Sequence, residues 1–252
     1  MKTIYLFDVD GTLTPARQPM ELGFRNFFLK FCEEFPVYFV TGSDRPKLDE
    51  QLPESVRNAA AGIFTCAGTE FWMKEDLVDQ RHHEFDEELI STLEQYVKDS
   101  PFVGRFGNHF EYRTGMVNVS VPGRNISQEG RTAYYYWDRA YGERQAIIKT
   151  LAHFFPEYSV AAGGQISIDV CPRGWTKAQI LTRLKTWHPQ CRFVFFGDKM
   201  GTDGNDRPLA DVIWADSSDN QAISVENPGQ THAMLEAIFC HGELDSTPRL
   251  CA

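Results

Sequence analysis

Phe7-Asp8-Val9-Asp10-Gly11-Thr12-Leu13-Thr14 is the stretch that decides how the rest of the chain is read. It follows Thr3–Phe7, a short apolar run rich in β-formers, so it sits at the C-terminal end of a first strand. In open parallel sheets, ligands bind at that edge. Two carboxylates two residues apart leave the strand end facing one crevice, and Gly11 lets the chain turn sharply. A carboxylate there can attack phosphorus and form an aspartyl phosphate. An anion attacking a dianion needs a divalent cation, and hard oxygen ligands suit Mg²⁺. The second carboxyl can exchange a proton with the attacking or leaving oxygen.

Outward from this stretch, the first part of the chain alternates strand and helix. Leu22–Phe35, Lys47–Leu52 and Glu54–Ala61 have helical spacing, while Val37–Thr41 and Gly62–Cys66 read as short buried strands. The middle differs. A helix over Asp86–Lys98 precedes three short strands, Phe102–Phe106, Phe110–Arg113 and Met116–Val121, separated by Gly or Asn. Helices over Ser127–Ala140 and Gly142–Phe155 follow, then strands Tyr158–Ala162 and Gln165–Val170. The first pattern then returns: helix Thr176–Trp187, strand Arg192–Phe196, short strands Val212–Trp214 and Ala222–Val225, and helix Gly229–Phe239, with a polar tail from His241 that is expected to fray. The expected fold class is α/β: a Rossmann-like parallel-sheet core, residues 1–81 and 175–252, with an inserted α+β cap built on an antiparallel sheet, residues 82–174.

Composition narrows the function classes. The 252 residues carry 42% hydrophobic and 24% charged residues, an ordinary globular balance that excludes wholesale disorder. The net charge of −10 repels nucleic acid and anionic lipid, so neither is an expected partner. No run of about 18 apolar residues is present, and the opening segment lacks a signal-peptide pattern. The six scattered cysteines fit a reduced, cytoplasmic protein. Against this acidic field, Arg105, Arg113, Arg124 and Arg131 face only Glu111 and Glu129 between Ser100 and Tyr135. Arginine forks a phosphate bidentately, so Arg113, Arg124 and Arg131 are candidates to hold a phosphate remote from Asp8, whereas Arg105 is read as structural. In the Gln165–Val170 strand, period 2 places Gln165, Ser167 and Asp169 on a polar face. Tyr134-Tyr135-Tyr136-Trp137 is read as packing and His82-His83 as a surface pair at the domain hinge.

Asp8-Val9-Asp10-Gly11-Thr12-Leu13-Thr14 resembles the first motif of the haloacid dehalogenase superfamily of phosphotransferases, and Thr41-Gly42-Ser43, Lys177, Gly197-Asp198 and Gly204-Asn205-Asp206 agree in order. More narrowly, the chain resembles the eukaryotic-type phosphomannomutases with a type IIB cap, as a divergent member. That likeness rests on Arg17 after the first motif, on Phe110–Ser120, on Gly123-Arg124-Asn125, on Ser127–Arg131, on Gly163–Val170 with Gly174-Trp175, and on Phe195–Lys199. The resemblance implies that Asp8 is the nucleophile, Asp10 the acid/base and Lys177 the stabiliser of Asp8. It implies that Asp8, the Asp10 carbonyl and Asp198 hold Mg²⁺. Ser43 would meet the reacting phosphoryl group; Arg17, Arg113, Arg124 and Arg131 would contact phosphate or sugar; Ser167, Asp169 and Asn118 would bind sugar hydroxyls. It further implies a hexose phosphate substrate, a hexose 1,6-bisphosphate activator and a homodimer formed through the cap. Three segments depart from the family pattern, Thr41-Gly42-Ser43-Asp44, Cys66-Ala67-Gly68 and Gly174-Trp175-Thr176-Lys177. Two alternatives stand beside the mutase: a Mg²⁺-dependent sugar phosphatase using the same residues, which Thr41 slightly favours and the arginine trio opposes, and a non-catalytic sugar-phosphate sensor, which intact Asp8, Asp10, Lys177 and Asp198 oppose.

Overall fold

The computed structural model describes residues 2–202 and 204–241. The chain divides into two compact units. One is formed by residues up to Asp79 and from Lys177 onward, the other by Gln80–Thr176.

In the first unit the strands are β1 (Thr3–Phe7), β2 (Val37–Val40), β3 (Gly62–Thr65), β4 (Glu70–Met73), β5 (Asp76–Gln80), β10 (Arg192–Gly197) and β11 (Gln221–Ser224). Among the described residues they make one sheet in the order β11-β10-β1-β2-β3-β4-β5. The pairs from β11 through β3 are parallel, and β4 turns back antiparallel on β3. Because β1 is central, both of its faces are buried, and alternate residues serve different layers. Tyr5 and Phe7 pack with Phe24, Phe28 and Phe31 of α1 (Leu22–Glu34) and with Leu235 and Ile238 of α9 (Pro228–His241). Ile4 and Leu6 pack with Ile180, Leu181 and Leu184 of α7 (Gln179–Trp187) and with Leu209 and Ile213 of α8 (Arg207–Asp216). The short helices α2 (Arg45–Gln51) and α3 (Glu54–Ala59) connect β2 to β3.

The second unit has β6 (Phe110–Arg113), β7 (Met116–Ser120), β8 (Tyr158–Gly163) and β9 (Ser167–Pro172), all antiparallel in the order β6-β7-β9-β8. Val117, Val119, Ile168 and Val170 form its apolar face. They pack on Leu89, Leu93 and Val97 of α4 (Glu87–Asp99), Tyr134 of α5 (Gln128–Tyr141), and Ile147 and Leu151 of α6 (Glu143–Phe154). The opposite face carries Glu111, Asn118 and Asp169 side by side in register. The alternation of the two faces follows directly from period 2.

Several expected elements differ. Phe102–Phe106 is irregular rather than a strand. The Arg105 guanidinium donates to the carbonyls of Val97 and Lys98 at 2.6 and 2.7 Å, capping the end of α4. Phe102 turns inward against Tyr134 and Trp137, while Val103 and Phe106 are exposed, so no single face could be buried. Val212–Trp214 lies inside α8, where Leu209 and Ile213 are buried one helical turn apart. The hairpin strands β4 and β5 were not expected. Helix α7 starts at Gln179, so Lys177 precedes it, with its carbonyl accepting from Ile180 N at 3.1 Å. Strand β9 starts at Ser167, leaving Gln165 in the turn before it. Tyr134 is fully buried, but Tyr136 is exposed, so the aromatic run is only partly packing. His83 bonds the Tyr158 hydroxyl at 3.1 Å. The polar tail beyond His241 lies outside the described residues. Among the described residues, no helix is long and apolar enough to cross a membrane.

Candidate active site

The first strand delivers Asp8 to the sheet edge, where its N–H bonds the Phe196 carbonyl of β10 at 2.9 Å. The chain then curls around the Val9 carbonyl, which accepts from the N–H groups of Thr12, Leu13 and Thr14 at 3.0 to 3.2 Å. Gly11 has φ +84°, and a Cβ there would run into the Asp198 carboxylate, so both the turn and the close approach require glycine.

Four charged groups converge beneath this turn. Lys177 Nζ lies 2.5 Å from Asp8 Oδ1 and 2.6 Å from Asp206 Oδ1. Asp206 Oδ2 accepts the Lys199 N–H at 3.0 Å. Asp8, Asp198 and Asp206 each offer an oxygen, and these oxygens lie within 4.8 Å of one another. Asp8, Asp206 and Lys177 are almost completely buried, at 3%, 0% and 1% exposure. Burial pushes the Asp8 carboxyl up to about 7; the charge of Asp206 adds to this, and Lys177 opposes it. Burial also raises Asp198. Burial opposes the charge on Lys177, yet the two carboxylates outweigh it and raise its pKa. One lysine shared by two acids stays charged, while the three acids still repel one another.

This set fits a hard divalent cation. Among the described residues, Asp198 Oδ1 is buried without a hydrogen-bond partner. Three carboxylates against one ammonium leave excess negative charge in a largely buried site. Ligands on Mg²⁺ stand about 2.1 Å from the ion, hence at most about 4.2 Å apart, close to the spread seen here. Asp206, quoted in the motif but not among the expected ligands, has the geometry to be one. The Asp10 side chain lies outside the triplet.

Asp10 is instead held as a separate, half-buried carboxylate. Gln51 Nε2 donates to Oδ1 at 2.7 Å, the Arg17 N–H to Oδ1 at 2.9 Å, and Ser43 Oγ to Oδ2 at 3.4 Å. Gln51 also donates to Thr14 Oγ1 at 3.1 Å. Sequence reading missed Gln51. Arg17 reaches Asp10 through its backbone, at φ +58°, and its side chain is on the surface. Thr41 Oγ1 accepts the Ser43 N–H at 3.0 Å. Two departing residues support that loop from below: Cys66 N–H bonds the Ser43 carbonyl and Ala67 N–H the Thr41 carbonyl, both at 2.9 Å. Cys66 and Ala67 both have positive φ, 49° and 57°, a conformation costing roughly 1–2 kcal/mol per non-glycine residue.

In the second unit, the polar face of the sheet is one connected chain of side chains. Arg113 Nε bonds Glu111 Oε1 at 2.6 Å, and Arg124 pairs with Glu111 Oε2. Arg124 also bonds Asn118 Oδ1, and Asn118 Nδ2 reaches Asp169 Oδ1 at 2.5 Å. Burial raises the Asp169 carboxyl, with the Asn118 bond and then Arg113 and Arg124 opposing. Arg131 Nη2 donates to the Arg124 carbonyl at 2.7 Å and so fixes that loop. Ser167 faces Ser120 across the strands, and its carbonyl accepts from Arg144 at 3.2 Å. Arg144 is buried against Asp138 and also bonds the Gly164 carbonyl, holding the turn that begins β9.

A family model described as eukaryotic phosphomannomutase matches residues 24–241. The chain belongs to the eukaryotic phosphomannomutase family. It is 34% identical to a probable phosphomannomutase of Caenorhabditis elegans, over 94% of this chain and 96% of that protein. It is 33% identical to a phosphomannomutase of Saccharomyces cerevisiae, covering 94% of each. Among solved structures, the C-terminal domain of Candida albicans trehalose-6-phosphate phosphatase superposes with TM-score 0.64 at 17% identity, over 94% of this chain and 91% of that one. A haloacid dehalogenase-like hydrolase of Bacteroides thetaiotaomicron superposes with TM-score 0.61 at 13% identity, over 95% and 100%. At those identities the structural neighbours speak for the fold alone, which is that of the haloacid dehalogenase-like enzymes. Family membership extends from the parallel core through the inserted unit.

Proposed function

We propose that this family member is a phosphomannomutase that interconverts mannose 6-phosphate and mannose 1-phosphate, and glucose phosphates as well. The first unit is the catalytic core and the second is the substrate-binding cap. Asp8, carrying a phosphoryl group taken from a hexose 1,6-bisphosphate activator, transfers it to the free hydroxyl of a hexose monophosphate. The bond from phosphorus to the Asp8 oxygen breaks, the bond to the sugar oxygen forms, and the hydroxyl proton passes to Asp10. The bisphosphate then presents its other phosphoryl group. Asp8 attacks that phosphorus, and Asp10 returns the proton to the leaving oxygen.

Lys177 keeps Asp8 oriented and balances charge as the phosphoryl group arrives. Mg²⁺, held by Asp8, Asp198, Asp206 and the Asp10 carbonyl, would neutralise the phosphoryl oxygens. Ser43 meets those same oxygens through its hydroxyl. Arg113, Arg124 and Arg131 hold the phosphate that is not reacting, and Arg17 contacts phosphate or sugar. Asn118, Ser167 and Asp169 take sugar hydroxyls. We place the enzyme in the cytoplasm and expect a dimer through the cap, where Tyr112 of the edge strand β6 and Phe106 of the preceding segment are exposed.

The observation that carries this reading over simple hydrolysis is the arginine set of the cap, Arg113 and Arg124 on the polar sheet face and Arg131 bonded to the Arg124 loop. A phosphatase needs one phosphate site, whereas a mutase must grip each end of the sugar in turn. The test is product balance. With Mg²⁺ and catalytic glucose 1,6-bisphosphate, mannose 1-phosphate is expected to become mannose 6-phosphate with little free phosphate. Release of one phosphate per hexose consumed would make the protein a sugar phosphatase instead.

A further inference from the structure

Glu111 lies between two of the three cap arginines and pairs directly with both. It gives one carboxylate oxygen to Arg113 and the other to Arg124, and it stands on β6 two residues before Arg113, on the same face of the sheet. It is also the acid that works against the arginines in setting the charge of Asp169. A carboxylate bridging two guanidinium groups occupies the same forked donors that a phosphate would use.

We propose that Glu111 is a built-in competitor for phosphate, which keeps the arginine site from holding its anion too tightly. The inference rests on the mutase reading above. In that reaction the cap releases one phosphate and takes the other in every cycle. An uncompensated set of arginines would bind the doubly phosphorylated intermediate well and let it go slowly. Glu111, tethered between Arg113 and Arg124, offers those guanidinium groups an alternative partner whenever a phosphate leaves. It is a positioning and affinity-setting residue, not a catalytic one, since it touches the arginines and not the reacting atoms. A purely orienting role makes the opposite prediction, because loosened arginines bind anions less well.

Glu111→Gln decides between the two. Glutamine keeps the shape and one acceptor oxygen but removes the charge. The full-length wild type and variant are titrated calorimetrically with inorganic phosphate and with mannose 6-phosphate. Loss of one partly solvated ion pair should tighten phosphate binding about 2–5-fold. The gain should shrink as salt is added. In steady state KM should fall together with kcat. Unchanged or weaker binding overturns the proposal. If the glutamine variant fails to fold by thermal melt, Glu111→Ala carries the same prediction, since it too removes the charge. Wild-type product balance is measured separately. Hydrolysis without isomerisation would sink the mutase reading, while the binding comparison would still report whether Glu111 restrains the arginines.

Discussion

Gln51→Leu is the most informative single change in the catalytic core. It removes a donor 2.7 Å from Asp10 Oδ1 and 3.1 Å from Thr14 Oγ1 while filling the same buried space, since Gln51 is only 3% exposed. A hydrogen bond to a charged group is worth roughly 1.5–3 kcal/mol and a neutral one about 1 kcal/mol. Asp10 keeps two other donors, Arg17 N–H and Ser43 Oγ, and water reaches it, so the net loss should be about 1–2 kcal/mol. For a protein of this size that lowers Tm by roughly 2–8 °C. The effect on rate should be larger than the effect on stability. A catalytic group displaced by about 1 Å can cost on the order of 100-fold. Gln51→Leu is therefore expected to lower kcat by roughly 100-fold with KM for mannose 1-phosphate nearly unchanged. Thr14→Val, which removes the second partner of Gln51 together with a 3.3 Å bond to the Val9 carbonyl but leaves Gln51 on Asp10, should leave kcat within a few-fold. The assays are steady-state isomerisation and a thermal melt on the same preparations. A lowered Tm with wild-type kcat would refute the claim that Gln51 positions Asp10.

Gly11→Ala should abolish activity and destabilise the core, because a Cβ at φ +84° would collide with the Asp198 carboxylate; turnover and a thermal melt check it. Asp169→Asn should gain in Tm over wild type as pH rises. A carboxyl whose folded pKa is raised by burial stabilises the fold below its unfolded pKa, and that contribution is lost as pH climbs through the folded value. Asparagine does not titrate, so the Tm difference should grow from acid toward neutral pH, while affinity for hexose phosphate falls. Mg²⁺ should raise Tm by relieving repulsion among Asp8, Asp198 and Asp206, and EDTA should reverse the shift; Asp206→Asn should blunt it.

How much of this was visible in the sequence depends on how local each signal is. The core announced itself because β1 is an apolar run that stops at Asp8, and because the acids, the glycine and the hydroxyls follow within six residues. Arg113, Asn118, Arg124 and Asp169 stand out in the sequence as polar groups, and the structure links them into one hydrogen-bonded face, Glu111 joining the two arginines and Arg124 leading on to Asn118 and Asp169. Gln51 was not legible. It sits 41 residues from Asp10 in a short helix, and its contact exists only once β1 and α2 are packed. Asp206 stands in a legible motif, but its place beside the expected ligands comes only from folding, through the Lys177 it shares with Asp8 and the carboxylate triplet it completes. Phe102–Phe106 misled because apolar residues suggested a strand, whereas Arg105 spends its donors on the end of α4. Val212–Trp214 misled because a three-residue window cannot separate strand from helix. The wider spacing of Leu209 and Ile213 does. Strands β4 and β5 escaped notice because β5 is an exposed edge strand with acids among its apolar residues.

The mutase reaction requires Asp8 to be the temporary carrier of the phosphoryl group. The direct measurement uses hexose 1,6-bisphosphate labelled with radioactive phosphate, mixed with the enzyme and Mg²⁺, quenched in acid and digested. Label is expected on the peptide containing Asp8. On a chase with unlabelled mannose 1-phosphate it should pass into hexose phosphate and not into free phosphate. Label on another residue, no labelled protein, or release only as inorganic phosphate would contradict the account.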